Sequence, residues 1–209
     1  MVSLSVWTAR PKFYWACSDV ALSELGQIAL IGGLLELQRA LDAEVLQRGQ
    51  EHIVEVLDGV LTGDVKAKDA IQHLPSGDII AANNALAGAD AFINSTGKEY
   101  RLREALEELK GIYHYIIIDT PPALGILTVN ALTACHSVII PSQADIYSLQ
   151  GIEQLAETIK PVKKYCNPAI YIEGILLTRY SNRSVLSREV AEIATKLAQK
   201  LNTKLFKTT

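Results

Sequence analysis

Three cysteines, Cys17, Cys135 and Cys166, are too few, too scattered and odd in number for a disulfide framework or a zinc knuckle. A reducing cytoplasm suits them best. No apolar run approaches the roughly 18 residues that a spanning helix needs, so no membrane association is expected. Met1 to Asp19 has no basic stretch leading into a long apolar one, and it does not read as a signal peptide. G-x-G-x-x-G is missing, which disfavours a dinucleotide oxidoreductase. Neither G-x-S-x-G nor a Cys/His nucleophile arrangement occurs, which disfavours a hydrolase triad. Cys135-His136 is an adjacent pair without further ligands near it, a poor metal geometry, and His114 reads as a strand-edge residue. What is present is an ordinary globular composition, 49% hydrophobic and 21% charged, in 209 residues, enough for one domain with its own core.

The net charge of −3 is unevenly spread. Residues 160–209 hold ten Lys or Arg against three acids, a surplus of seven, which leaves residues 1–159 at −10. Such asymmetry marks either an anion-binding face or helices with solvated lysines.

From about Glu51 the pattern alternates helix and strand. Ser76-Gly77-Asp78 signals a turn before the apolar run Ile79 to Ala82. Lys98 to Lys110 predicts an amphipathic helix with Leu102, Leu106 and Leu109 on one face and Gly111 ending it. Tyr115-Ile116-Ile117-Ile118 is a β-branched run typical of a strand buried on both faces. A helix over Leu124 to Ala134 follows, then a strand over Ser137 to Ile140 that Pro141 should stop. Ser148 to Tyr165 predicts a long helix that Pro161 should kink or divide. Ile170 to Thr178 is a third strand, and Ser184 caps a helix running to Leu201. This rhythm implies βαβ crossovers and a parallel sheet with helices on both faces. The first fifty residues do not share the rhythm; Leu22 to Leu46 reads as helix, interrupted by Gly32-Gly33.

The segment Tyr115 to Pro122 is the most informative. An apolar strand ending in Asp119 puts a carboxylate at the carboxyl end of a parallel sheet, where open α/β folds bind ligands. An acid there holds Mg²⁺ beside nucleotide phosphates, or simply caps the next turn. Asp119-Thr-Pro-Pro-Ala-Leu-Gly125 with Thr128-Val-Asn-Ala-Leu132 resembles the Walker B region of the ParA/MinD family, the deviant Walker A group of P-loop ATPases. Asn84-Ala-Leu-Ala-Gly-Ala89, Val138-Ile-Ile-Pro-Ser-Gln143, Tyr147-Ser-Leu-Gln-Gly151 and Glu173-Gly-Ile-Leu-Leu-Thr178 extend the likeness in order along the chain, closest to the ParA/Soj partition branch.

The resemblance implies an α/β, parallel-sheet, P-loop NTPase-like three-layer sandwich lacking the P-loop strand. Residues 1–50 stand as an unmatched, partly helical segment, and residues 51–209 as a ParA-like domain incomplete at both ends. It implies ATP and Mg²⁺ as cofactors, with Asp119 the catalytic and metal-binding acid. Thr120 and Pro121 would shape the γ-phosphate switch, and Gln143 to Gln150 would lie near the nucleotide and dimer face. Thr178 and Arg179 would end the strand that approaches the base. Arg183, with Arg188 beside it, would contact DNA without sequence preference, in agreement with the positive carboxyl quarter. The implied partners are non-specific DNA, a ParB-like protein and a second copy of the chain, with a cytoplasmic, nucleoid-associated location.

The departures are as definite. The family's K-G-G-x-G-K-T/S loop, whose amides and lysines cradle phosphates, has no match in these residues, nor has its D-x-D-P-Q motif. Val6-Trp7-Thr8 read in a shifted frame gives an apolar residue followed by Asp, and Arg10 can supply Gln; on that expectation a displaced L-D-x-Q motif lies in the other frame and a phosphate loop would lie upstream of Met1. Three functions follow: a partition ATPase domain defective in hydrolysis, a non-catalytic adaptor or decoy, or a truncated product without activity. A fold without the P-loop strand would leave Tyr115 to Ile118 beside an empty slot, an aggregation hazard unless Leu4 to Val6 or Leu22 to Leu46 covers it.

Overall fold

The computed structural model describes residues 5–9, 27–31, 57–74, 77–82, 86, 88–120, 123–178, 180–181 and 183–207. In chain order the elements are β1 (Ser5–Ala9), β2 (Gln27–Ile31), α1 (Leu57–Thr62), β3 (Gln72–Leu74), β4 (Gly77–Ile80), α2 (Ala89–Phe92), α3 (Arg101–Leu106) and β5 (Tyr115–Asp119). Then come α4 (Ile126–Ala134), β6 (Ser137–Gln143), α5 (Ile146–Tyr165), β7 (Tyr171–Thr178), α6 (Val185–Lys200) and β8 (Lys204–Leu205). These strands form one sheet in the order β3-β4-β1-β5-β2-β6-β7-β8.

From β5 to β8 every neighbouring pair is parallel, the α/β arrangement expected from the alternating helices and strands. The β3-β4-β1 side departs from it: β1 runs antiparallel to both β4 and β5, and β3 antiparallel to β4. Only two residues separate Leu74 from Gly77, and so short a connection joins only antiparallel strands.

No empty slot flanks β5. Ile117 is in register with Trp7 of β1 on one side and Ala29 of β2 on the other. Both backbone edges of β5 are therefore paired, and the edge-driven self-association expected from the sequence loses its cause. Residues 5–9 play the makeshift-strand role foreseen for Leu4 to Val6. Gln27–Ile31 is a strand where the pattern suggests helix. A five-residue apolar run fits either period, and pairing to β5 and β6 on both sides decides it. The rest of Leu22 to Leu46 lies outside the described residues.

The core forms where α3 and α4 meet the sheet. Ile116 and Ile118 alternate with the less buried Ile117, and they join Leu102, Leu106, Leu127 and Leu132 in one cluster. The Lys98 to Lys110 helix is built as α3 between two short 3₁₀ turns, and Gly111 follows it with φ of 81°, a backbone that L side chains rarely adopt. Asp78 is buried on β4; its carboxylate accepts from the Tyr113 hydroxyl at 2.7 Å and lies 2.8 Å from His73 Nδ1, tying the β3–β4 hairpin to the approach to β5.

Two prolines act less strongly than expected. β6 continues through Pro141 to Gln143. β2 pairs with β6 only as far as Ile139, so among the described residues the proline opposes β7 alone, and its missing N–H costs no rung on the β2 side. Pro161 sits inside an unbroken α5. It and Glu157, whose carbonyl loses its helical donor, are both exposed, so water can satisfy that carbonyl. Ser184 caps α6 as expected, accepting from the Ser187 N–H at 3.3 Å.

Candidate functional site

Asp119 ends β5 and is buried. Because β5, β2, β6 and β7 are parallel, their carboxyl ends share one edge of the sheet. Gln143 and Thr178, the last residues of β6 and β7, are register partners there. Three strand spacings separate β5 from β7, so the Asp119 and Thr178 strands stand about 14 Å apart. Thr178 Oγ1 donates to the Ser142 carbonyl at 3.4 Å, and Thr120 is half-buried directly after Asp119. Pro121 and Arg179 lie outside the described residues.

Three helices, α4, α5 and α6, follow strands that end on this edge. α5 is capped by Asp145, which accepts from the Ser148 N–H at 2.9 Å and the Ser148 hydroxyl at 2.7 Å. Those hydrogen bonds hold the Asp145 carboxyl below the usual carboxylate range. α4 begins after Gly125, which offers no side-chain cap. Asp90 of α2 substitutes, accepting from the Ile126 N–H at 3.3 Å. Thr128 Oγ1 donates to the Ala123 carbonyl at 2.7 Å and steadies the end of the loop from Asp119. Asn130, wholly buried on α4, accepts from the Leu102 N–H at 3.0 Å and donates to the Lys98 carbonyl at 2.8 Å.

Among the described residues no three His, Cys, Asp or Glu side chains gather as a metal cluster. A single carboxylate such as Asp119 is compatible with Mg²⁺, which keeps most of its water and takes one or two protein carboxylates. The Cys135-His136 pair does not converge as a ligand set. Cys135 is buried, its Sγ donating to the Leu132 carbonyl at 3.7 Å, and burial pushes its thiol up to about 12, while His136 is exposed. Exposed Arg183 and Arg188 flank the Ser184 cap, so the local fold brings both cations to the start of α6.

Sequence reasoning names Asp119, Thr120, Pro121, Thr178, Arg179, Arg183 and Arg188 as candidates and passes over Asp145, Asp90 and the hydrogen-bonding role of Asn130. Asp145-x-x-Ser148 carries a readable N-cap signature. Asp90 and Ile126 are 36 residues apart, and no local signal links them.

Residues 37–172 match the AAA domain family. The chromosome partitioning protein ParA of Caulobacter vibrioides is 41% identical over 138 residues, 64% of this chain and 52% of that protein. The sporulation initiation inhibitor protein Soj of Bacillus subtilis is 47% identical over 116 residues, 55% of this chain and 46% of that protein. The chain thus spans about half the length of these curated relatives. Among solved structures, cobyrinic acid a,c-diamide synthase from Mycobacterium smegmatis, with a bound ATP analog and magnesium, superposes with a TM-score of 0.69 at 33% identity, covering 82% of this chain and 70% of that one. No helix among the described residues is long and apolar enough to cross a membrane.

Proposed function

Since this chain belongs to the AAA domain family, among ParA/Soj-like partition ATPases with a P-loop NTPase-type α/β fold, we propose that it serves chromosome or plasmid partitioning as a ParA-like domain, residues 51–209, that binds DNA but does not itself turn over ATP. The observation that carries the reading is Asp119 on the carboxyl edge of a parallel sheet, with exposed Arg183 and Arg188 at the start of α6.

Asp119 is the residue suited to hold Mg²⁺, directly or through water, beside a nucleotide's phosphates. Thr120 follows it directly and Thr178 ends a strand on the same edge, while Pro121 and Arg179, which the family resemblance adds to the cofactor site, lie outside the described residues. Magnesium, when bound, supplies charge neutralisation for the phosphates. The donors for the triphosphate itself are not matched by any K-G-G-x-G-K-T/S sequence in the 209 residues, and this supports the absence of turnover. Arg183 and Arg188 contact DNA phosphates, in keeping with the positive balance of residues 160–209. The partners of the reading are non-specific DNA, a ParB-like protein and a second copy of the chain, and its place is the cytoplasm at the nucleoid. The same missing loop and exposed arginines also favour a second reading, a non-catalytic adaptor that holds DNA without nucleotide. Fluorescence anisotropy with duplex DNA, with and without Mg-ATP across a salt series, tests the proposal. Salt-sensitive binding to any sequence supports it, and dependence on nucleotide separates the two readings.

A further inference from the structure

The loop that leaves Asp119 ends where α4 begins, and the grip on that end comes from far upstream. The first N–H groups of a helix have no partner inside it, and a side-chain oxygen at the N-cap usually takes one of them. Gly125 holds the N-cap place of α4, with φ of −94° and ψ of −165°, and has no side chain to offer. The Asp90 carboxylate fills that role from outside: Oδ1 accepts from the Ile126 N–H at 3.3 Å, and a Cβ on Gly125 would stand 3.4 Å from Oδ2. Its negative charge also complements the positive end of the helix dipole. One turn further along, Asn130 fixes α4 to the chain that follows α2. Its side chain accepts from the Leu102 N–H and donates to the carbonyls of Lys98 at 2.8 Å and of its own turn's Ile126 at 3.0 Å. Ala89 and Ile93, on either side of Asp90 in sequence, are buried in the same core as Ile126 and Leu127. Residues 89–102 therefore hold α4 at two points, one of them at the exit of the Asp119 loop.

We propose that Asp90 is a positioning residue for the start of α4 and for residues 123–125 before it, which it clamps by capping α4 across the fold. The consequence for Asp119 rests on the functional reading above; the clamp itself does not.

Hydrogen exchange on the full chain, without nucleotide, tests the clamp, so a failure of nucleotide binding leaves the result readable. Asp90→Ala is expected to speed exchange in peptides covering 123–128 by about tenfold, the loss of one charge-assisted hydrogen bond, while peptides from α5 and α6 stay as in the wild type. Asp90→Asn keeps an acceptor oxygen and should remain within about threefold of wild type. Gly125→Ser in the Asp90→Ala background supplies a local N-cap and should restore protection, because Gly125 already has extended, cap-like dihedrals. Unchanged exchange over 123–128 in Asp90→Ala overturns the proposal. So does a rise spread evenly over all helices that Gly125→Ser fails to reverse.

Discussion

Phe206 lies so close to Gly174 that a Cβ on the glycine would stand 2.5 Å from Cε2 of the ring and 3.0 Å from the Lys204 carbonyl oxygen. The contact closes the β7–β8 edge: the Phe206 N–H donates to the Ile175 carbonyl at 2.9 Å, and the ring is buried. Gly174→Ala must therefore push the ring or the β8 backbone aside. Overpacking of this kind costs about 1–3 kcal/mol, a fall in Tm of about 3–10 °C for a domain of this size. Thermal unfolding by circular dichroism measures it. Adding Phe206→Ala should cost less in the Gly174→Ala protein than in the wild type, because there the loss of the ring also relieves the clash.

Asp145 gives stability a pH dependence of known sign. Its carboxyl is held low by the Ser148 side-chain and backbone hydrogen bonds, so the folded state binds its proton less readily than the unfolded chain. The contribution is fully present above the ordinary carboxylate pKa of about 3.9 and is lost as pH falls through the lower folded value. Asp145→Ala should cost about 1 kcal/mol at pH 7, towards the low side because the residue is only half-buried, and the gap to wild type should shrink below about pH 4. Urea titrations at pH 7 and pH 3.5 check both parts.

Cys135 should be inert while the fold is intact. With its thiol pushed up to about 12 by burial, the thiolate fraction at pH 8 is about one in 10⁴. Peptide mapping after iodoacetamide treatment at pH 8 should find Cys135 unmodified in the native protein and modified after denaturation. Native labelling as fast as that of an exposed thiol would contradict its burial.

The βα rhythm after residue 57 was legible because its parallel strands are β-branched runs and its long helices α5 and α6 carry apolar stripes; Tyr115 to Asp119 and Ser184 to Leu201 are the clearest cases. Pro141 and Pro161 misled because a proline's effect depends on which side of the strand or helix has a neighbour, and that is decided by the tertiary fold. β2 was hidden because Gln-Ile-Ala-Leu-Ile reads equally well in either period, and only β5 and β6 on its two sides settle it. In the candidate site, the carboxyl-edge position of Asp119 followed from strand pattern alone. The cap from Asp90 did not, since a hydrogen bond across 36 residues leaves no periodic trace.

On the proposed reading, Arg183 and Arg188 at the start of α6 carry the contact with DNA. Arg183→Ala and Arg188→Ala should each weaken binding to all sequences about equally and lower the salt slope by about one per lost phosphate contact. Anisotropy titrations on two unrelated duplexes at several salt concentrations measure it. A loss confined to one sequence, or binding indifferent to salt, would count against the phosphate-contact reading.

On the proposed function, Asp119 is the partition-type acid of a chain without the means to hold a triphosphate for turnover. Without the lysines and amides of a phosphate loop, Asp119 alone brings negative charge to a negatively charged ligand. Replacing that loop would take several charge-assisted hydrogen bonds, each worth about 1.5–3 kcal/mol. The most direct measurement is phosphate release from Mg-ATP by the purified chain and by its Asp119→Ala variant under identical conditions. Both are expected to stay at background. Turnover in the wild type that vanishes in Asp119→Ala would contradict that expectation.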